Sequence, residues 1–64
     1  MIVRHLDAKS LGYCNRGLRR WFDRHGLDFA DFRRNGLDEQ AFLATGDPMA
    51  ARLVAYARER RCNG

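Results

Sequence analysis

The sequence of 64 residues has few of the features that identify particular protein classes. It holds one proline and two cysteines, and Cys14 and Cys62 lie far apart without a Cys-x-x-Cys pair. Such cysteines are typical of plain thiols in a reducing compartment. The sequence also lacks an apolar run of about 18 residues and an apolar stretch after a basic start, which a membrane span and a secretory signal require. We therefore expect a cytoplasmic protein with no membrane partner.

Lysine is scarce as well, because eleven of the twelve basic residues are arginine. With eight acidic residues, the formal net charge is +4. The planar guanidinium group suits bidentate contacts with carboxylates and phosphates. The expected partner is therefore an acidic protein surface or nucleic acid, although a solvated basic surface without a partner is the alternative. A substrate cleft would take apolar volume from a chain that buries only about 60% of its unfolded surface, so we expect no enzyme.

Three glycines at intervals of ten residues divide the sequence, and each precedes an aspartate by one or two positions. A glycine in the left-handed conformation ends a helix, and an aspartate side chain accepts hydrogen bonds from the free N–H groups of the next helix. In two of the junctions a leucine precedes the aspartate and a phenylalanine follows it at the spacing of a hydrophobic staple. The glycine and aspartate pairs are Gly26 and Asp28, Gly36 and Asp38, and Gly46 and Asp47. The staple pairs are Leu27 with Phe32 and Leu37 with Phe42.

This pattern of glycines and aspartates predicts a single all-α domain over residues 1–64, a compact bundle of about four short helices with Gly/Asp-capped connections. Residues 1–13 are expected to form a loosely structured lead-in, with one helical turn near residues 5–9, and residues 62–64 a tail. Ile2 and Val3 suit an edge strand, but we identify no second strand to pair with them. Pro48 fits the first position of the last helix. The predicted helices of the core, residues 14–61, cover about 15–25, 28–35, 38–45 and 47–61.

The first long helix has one apolar face and one basic face. Its apolar arc holds Leu18, Trp21, Phe22 and His25. This position favours a core role for Trp21 over the alternatives of a stacking platform for bases or a binding anchor. In the last helix the apolar arc comprises Met49, Ala50, Leu53, Val54 and Ala57, and Leu43 is expected to fill space beside it. The candidate binding residues are the arginines of the opposite face of the first long helix, together with two near the end of the next helix. They are Arg16, Arg19, Arg20, Arg24, Arg33 and Arg34.

Three other kinds of site have weaker support. A helix-turn-helix with Gly36 in the turn would start its recognition helix with acidic residues, which repel phosphates. A zinc site would need four residues without the usual ligand spacing, namely His5, Cys14, His25 and Cys62. A disulfide between the two cysteines would need an oxidising compartment. The aspartates are assigned to helix starts and Ser10 has no evident base, so we predict no catalytic residue, no metal and no cofactor.

Residues 12–17, 24–28 and 45–47 read Gly-Tyr-Cys-Asn-Arg-Gly, Arg-His-Gly-Leu-Asp and Thr-Gly-Asp. With the intervening aromatic and glycine positions, this pattern resembles a group of very small phage and prophage proteins over residues 12 to about 57. The resemblance implies a role among virion morphogenesis proteins of tailed phages, in the head, connector or tail, and supplies no catalytic residue. Cys14, Arg16 and Gly17 are where a family-specific contact is expected, since helix capping does not obviously require Cys14 or Arg16.

We therefore expect a non-enzymatic phage or prophage protein of the bacterial cytoplasm or the virion, which docks on a phage structural protein during assembly. The alternatives are a small basic nucleic-acid-binding protein, acting as a regulator or packaging accessory, and an inhibitor of a host protein. A homo-oligomer stays open, because Ala51 and Ala55 give the last helix a face of small residues.

Overall fold

Helices make up most of this computed structural model, which describes residues 1–62. Within that range the chain forms five helices and two short strands. Their order is β1 (Ile2–Val3), α1 (His5–Leu11), α2 (Asn15–Arg24), α3 (Phe29–Asn35), β2 (Leu37–Asp38), α4 (Glu39–Leu43) and α5 (Pro48–Cys62). The prediction of a mainly helical fold is confirmed, with one helix more than expected and a small antiparallel sheet that was not expected.

The predicted capping residues start the last three helices. The side chain of Asp28 accepts a hydrogen bond from the N–H of Asp31, and that of Asp38 accepts one from Gln40. Asp47 accepts one from the N–H of Met49 at 2.9 Å, which fixes the start of α5 at the proline. The helix boundaries follow from these local contacts, because each cap satisfies an N–H group that the helix itself leaves free.

The two strands correct the prediction that Ile2 and Val3 have no partner. β1 pairs antiparallel with β2, with Ile2 opposite Asp38 and Val3 opposite Leu37. Residues 37 and 38 were assigned to a helix junction, because a strand of two residues carries no periodic signal of its own. The outer edge of β1 is covered as well, since Arg61 Nη2 donates to the carbonyl of Ile2 at 2.9 Å.

The first thirteen residues are also more ordered than the predicted lead-in. Arg4 precedes α1, and its N–H donates to Asp7 Oδ2 at 2.9 Å, which helps the helix to start. Val3 and Ala8 are fully buried in the core. Asp7 is 4% exposed and binds arginines of α5, so the start of the chain is held against its last helix. Residues 63 and 64 of the predicted tail lie outside the described residues.

The core contains side chains from β1 and from every helix. Phe22 lies at its centre, with its ring centroid 4.9 Å from that of Phe32 and 5.5 Å from that of Phe29. Packed aromatic rings bury a large apolar area per residue, which a chain of this length needs. Two expectations were wrong, since Leu43 and Met49 are each 38% exposed. The buried apolar residues are Val3, Ala8, Leu18, Trp21, Phe22, Phe29, Phe32, Phe42, Ala50, Leu53, Val54 and Ala57.

No helix among the described residues is both long enough and apolar enough to cross a bilayer.

Candidate binding surface

The six candidate arginines all lie on the surface. Helix α2 carries four of them opposite its buried face, and α3 carries two in its last turn, where they complement the helix dipole. Each is exposed, and none forms an ion pair with a carboxylate within residues 1–62. We call this set the arginine surface: Arg16, Arg19, Arg20, Arg24, Arg33 and Arg34.

Three arginines of α5 differ from those of the arginine surface because each of them forms an ion pair with a carboxylate of the fold. Arg58 binds Glu39, and this contact, together with the N-terminal amine, holds the pKa of Glu39 below its usual range. Arg60 and Arg61 both bind Asp7, at 3.2 and 3.1 Å. The carboxylates of α1 and α4 are thus used to hold α5 in place, and they leave the arginines of α2 and α3 uncompensated.

Phe29 connects the two helices of the arginine surface. The guanidinium carbon of Arg19, from α2, lies 5.8 Å from the centroid of the Phe29 ring. That of Arg33, from α3, lies 6.0 Å from the same centroid. Both distances are within the range of cation–π contact. The structure therefore brings an arginine of each helix to one aromatic ring and makes the basic surface continuous across α2 and α3 at this point.

His5 of α1 packs against the same Phe29 ring. Its ring centroid is 5.8 Å from that of Phe29, in an edge-to-face arrangement. Its Nε2 atom lies 2.8 Å from the Oδ1 atom of Asn15, the first residue of α2. This hydrogen bond and the ring contact fix α1 against the start of α2 and against α3.

Phe29 and His5 were not among the predicted site residues. Phe29 stands four positions before Arg33 in the sequence, and residues at this spacing are neighbours on a helix, so that contact had a sequence signal. The approach of Arg19 and His5 to the same ring had none, because the three residues belong to three helices.

Cys14 is the N-cap of α2, which corrects the expectation that capping does not require it. Its Sγ atom accepts a hydrogen bond from the N–H of Gly17 at 3.3 Å. This bond, with weaker help from other backbone N–H groups, lowers the pKa of the Cys14 thiol. Of the predicted family-specific residues, Cys14 and Gly17 thus contribute to the helix start, whereas Arg16 projects from the surface.

Trp21 is 6% exposed, which confirms its predicted core position. Its indole N–H donates to Asp47 Oδ2 at 2.7 Å, so α2 is tied to the cap of α5. This hydrogen bond and that from Met49 hold the pKa of Asp47 below its usual range. His25 Nε2 lies 3.7 Å from the same carboxylate oxygen and is buried without a hydrogen-bond partner among the described residues.

The described part of the chain holds no group of three or more potential metal ligands. Cys14 is exposed and forms no disulfide with a described side chain. The side chain of Cys62 lies outside the described residues, so the alternative of a disulfide between Cys14 and Cys62 lies outside them as well.

No model of a known protein family, no curated protein and no solved structure matches the chain.

Proposed function

We propose that this protein is a non-enzymatic binding module that docks through the arginine surface on an acidic surface of another protein. The observation that carries the proposal is the unequal pairing of the arginines. Three of the four arginines of α5, namely Arg58, Arg60 and Arg61, bind carboxylates of the fold, whereas the six of α2 and α3 are exposed and form no ion pair within residues 1–62. A field of uncompensated charge steers an oppositely charged partner and adds specificity at the interface.

A protein partner fits this surface better than nucleic acid because carboxylates lie among the arginines. Asp23 is exposed one turn after Arg19, and Asp28 is exposed at the start of α3. A nucleic acid backbone presents regularly spaced negative charge, which these carboxylates repel. A protein surface can place basic groups opposite Asp23 and Asp28 and acidic groups opposite the arginines. The segment between α3 and α4 is also a strand rather than the turn of a helix-turn-helix.

The biological setting of the proposal comes from the resemblance to small phage and prophage proteins. In that setting the partner is a phage structural protein, and docking contributes to assembly of the head or tail. The resemblance supports this setting through residues 12 to about 57, and the exposed arginines support the mode of binding.

The test is binding of two labelled probes, an oligo-glutamate peptide and a DNA duplex of mixed sequence, measured by fluorescence anisotropy at two ionic strengths. The double variant Arg16→Gln/Arg20→Gln removes two charges from the arginine surface. The control Lys9→Gln/Arg52→Gln removes the same charge from exposed positions elsewhere. We expect the peptide to bind at low salt, and the first variant to lose several-fold more affinity than the control.

Equal losses in the two variants, or no peptide binding at low salt, would refute the proposal. Binding of the duplex in preference to the peptide, with affinity falling steeply as salt rises, would replace it with the nucleic-acid alternative.

A further inference from the structure

The contacts around Phe29 divide the arginine surface into two groups. Arg19 and Arg33 lie against an aromatic ring, whereas for the other four arginines no contact with an aromatic ring occurs among the described residues. Phe29 itself is only 8% exposed, so its ring is held in place by the core. Its contacts with Phe22 and Phe32, at centroid distances of 5.5 and 6.3 Å, fix its position. The two guanidinium groups therefore contact a rigid part of the fold.

Contact with a ring face leaves a guanidinium group able to bind an anion. The N–H donors lie in the plane of the group and point outward from its edge, so the donors directed away from the ring stay available to an anion. The ring contact also restricts an otherwise flexible side chain before any partner arrives, which lowers the conformational entropy lost on binding. Arg19 and Arg33 thus combine free donors with restricted motion, which exposed arginines without such support do not.

The surface beside Arg33 has room for an incoming side chain. An open depression of about 300 Å³ is lined by Ala30, Arg33 and Arg34. Ala30 is exposed and has no side chain beyond Cβ, so the backbone of a partner can approach α3 closely at this point. A carboxylate that enters this depression meets Arg33, whose guanidinium group lies over the same Phe29 ring as that of Arg19 from α2.

We propose that Arg19, Phe29 and Arg33 form the anchor at which the arginine surface binds a carboxylate side chain of an acidic protein segment. This inference rests on the proposed function and adds to it the point of strongest contact. The remaining arginines supply long-range attraction, and the anchor fixes the register of the partner. Charge-assisted hydrogen bonds to a pre-positioned guanidinium are the strong contacts of such interfaces.

The experiment compares two double variants with the same loss of charge, Arg19→Gln/Arg33→Gln and Arg16→Gln/Arg24→Gln. The probe is the oligo-glutamate peptide, and binding is followed in the wild-type protein through the Nε–H resonances of its arginines. We expect the resonances of Arg19 and Arg33 to shift most. The first variant is expected to lose about tenfold more affinity than the second, the effect of one charge-assisted contact.

A third variant, Phe29→Leu, keeps every charge and an apolar side chain in the core. It is expected to weaken peptide binding and to reduce the shifts of the two anchor arginines towards those of the others. Backbone amide spectra of each variant show whether the fold is retained. If Phe29→Leu does not fold, the comparison of the two arginine variants still decides the question.

The outcomes distinguish failure of the anchor proposal from failure of the proposed function. Equal weakening in the two arginine variants overturns the anchor and leaves docking through the arginine surface intact. Unchanged affinity in both variants, or absence of peptide binding to the wild-type protein, overturns both. Preference for the DNA duplex assigns the surface to nucleic acid.

Discussion

Replacement of Gly36 by alanine should damage the fold far more than the same change at the two other glycines of the ten-residue pattern. Gly36 has φ +79° and ψ −176°, a conformation that is essentially restricted to glycine. A Cβ atom there would lie 2.5 Å from Ile2 Cγ2 and 2.8 Å from the carbonyl oxygen of Val3. Gly26 and Gly46 also have positive φ, +68° and +71°, but a Cβ atom at either would meet no atom within 4 Å.

The expected magnitudes follow from these two differences. Gly26→Ala and Gly46→Ala each place an L-residue at positive φ, at a cost of about 1 kcal/mol. Gly36→Ala carries up to about 3 kcal/mol of backbone strain, because its φ and ψ suit only glycine. It also forces β1 away from β2, and overpacking of this kind costs about 1 to 3 kcal/mol. A domain of this length is stable by roughly 3 to 10 kcal/mol, so Gly36→Ala should remove most of the free energy of unfolding.

The assay is urea unfolding of the three alanine variants and the wild-type protein, followed by far-UV circular dichroism and by the fluorescence of the buried Trp21. If Gly36→Ala is unfolded in buffer, its folding equilibrium can be measured in a titration with trimethylamine oxide, which favours the compact state. A free energy of unfolding for Gly36→Ala within about 0.5 kcal/mol of that for Gly26→Ala would refute the close approach of β1 to this glycine.

Three further predictions concern single contacts. Asp7→Ala leaves two arginines of α5 without their carboxylate. It should lower the free energy of unfolding by about 2 to 4 kcal/mol in urea titrations, which is less than the cost of breaking a fully buried ion pair because the two arginines are partly exposed. A loss below 1 kcal/mol would contradict the assigned role of Asp7 as an attachment point for α5. The lowered pKa of Asp47 contributes stability that is present above the usual aspartate pKa of about 4 and is lost as pH falls through the folded pKa. Because Trp21 donates the main hydrogen bond, Trp21→Phe should weaken this acid dependence, measured by circular dichroism between about pH 4 and 2, and an unchanged slope would argue against that bond. In a Cys62→Ser variant, the rate at which Cys14 reacts with an aromatic disulfide reagent should titrate below the pKa of an unfolded cysteine, about 8.5, and a profile equal to that of the urea-unfolded variant would disprove the cap.

The features that could be predicted from the sequence, the helix starts and the exposed face of α2, depend on local contacts. Asp28 and Asp38 bind N–H groups two or three positions away, so a spacing pattern within a few residues predicts the helix starts that the structure shows. Pro48 marks the start of α5 because its fixed φ suits the first helical position and its missing N–H costs nothing there. The exposure of the arginines of α2 followed from the period of one helix, since Leu18 and Phe22 define its buried face.

Contacts between distant parts of the chain were decided only by the tertiary structure. The pairing of β1 with β2 joins residues that are 34 to 36 positions apart, and two-residue strands have no period from which to predict them. Asp7 was not identified as a partner for Arg60 and Arg61 because α1 and α5 lie at opposite ends of the sequence.

The arginine surface shows the same division. Its six residues were identified by the sequence, because exposure on a helix is a local property. That the carboxylates of α1 and α4 bind arginines of α5 instead of these six, and that two of the six contact Phe29, was determined by how the helices pack. Ion pairs and ring contacts depend on distances of a few ångströms between side chains of different helices, and the order of residues along the chain does not specify those distances.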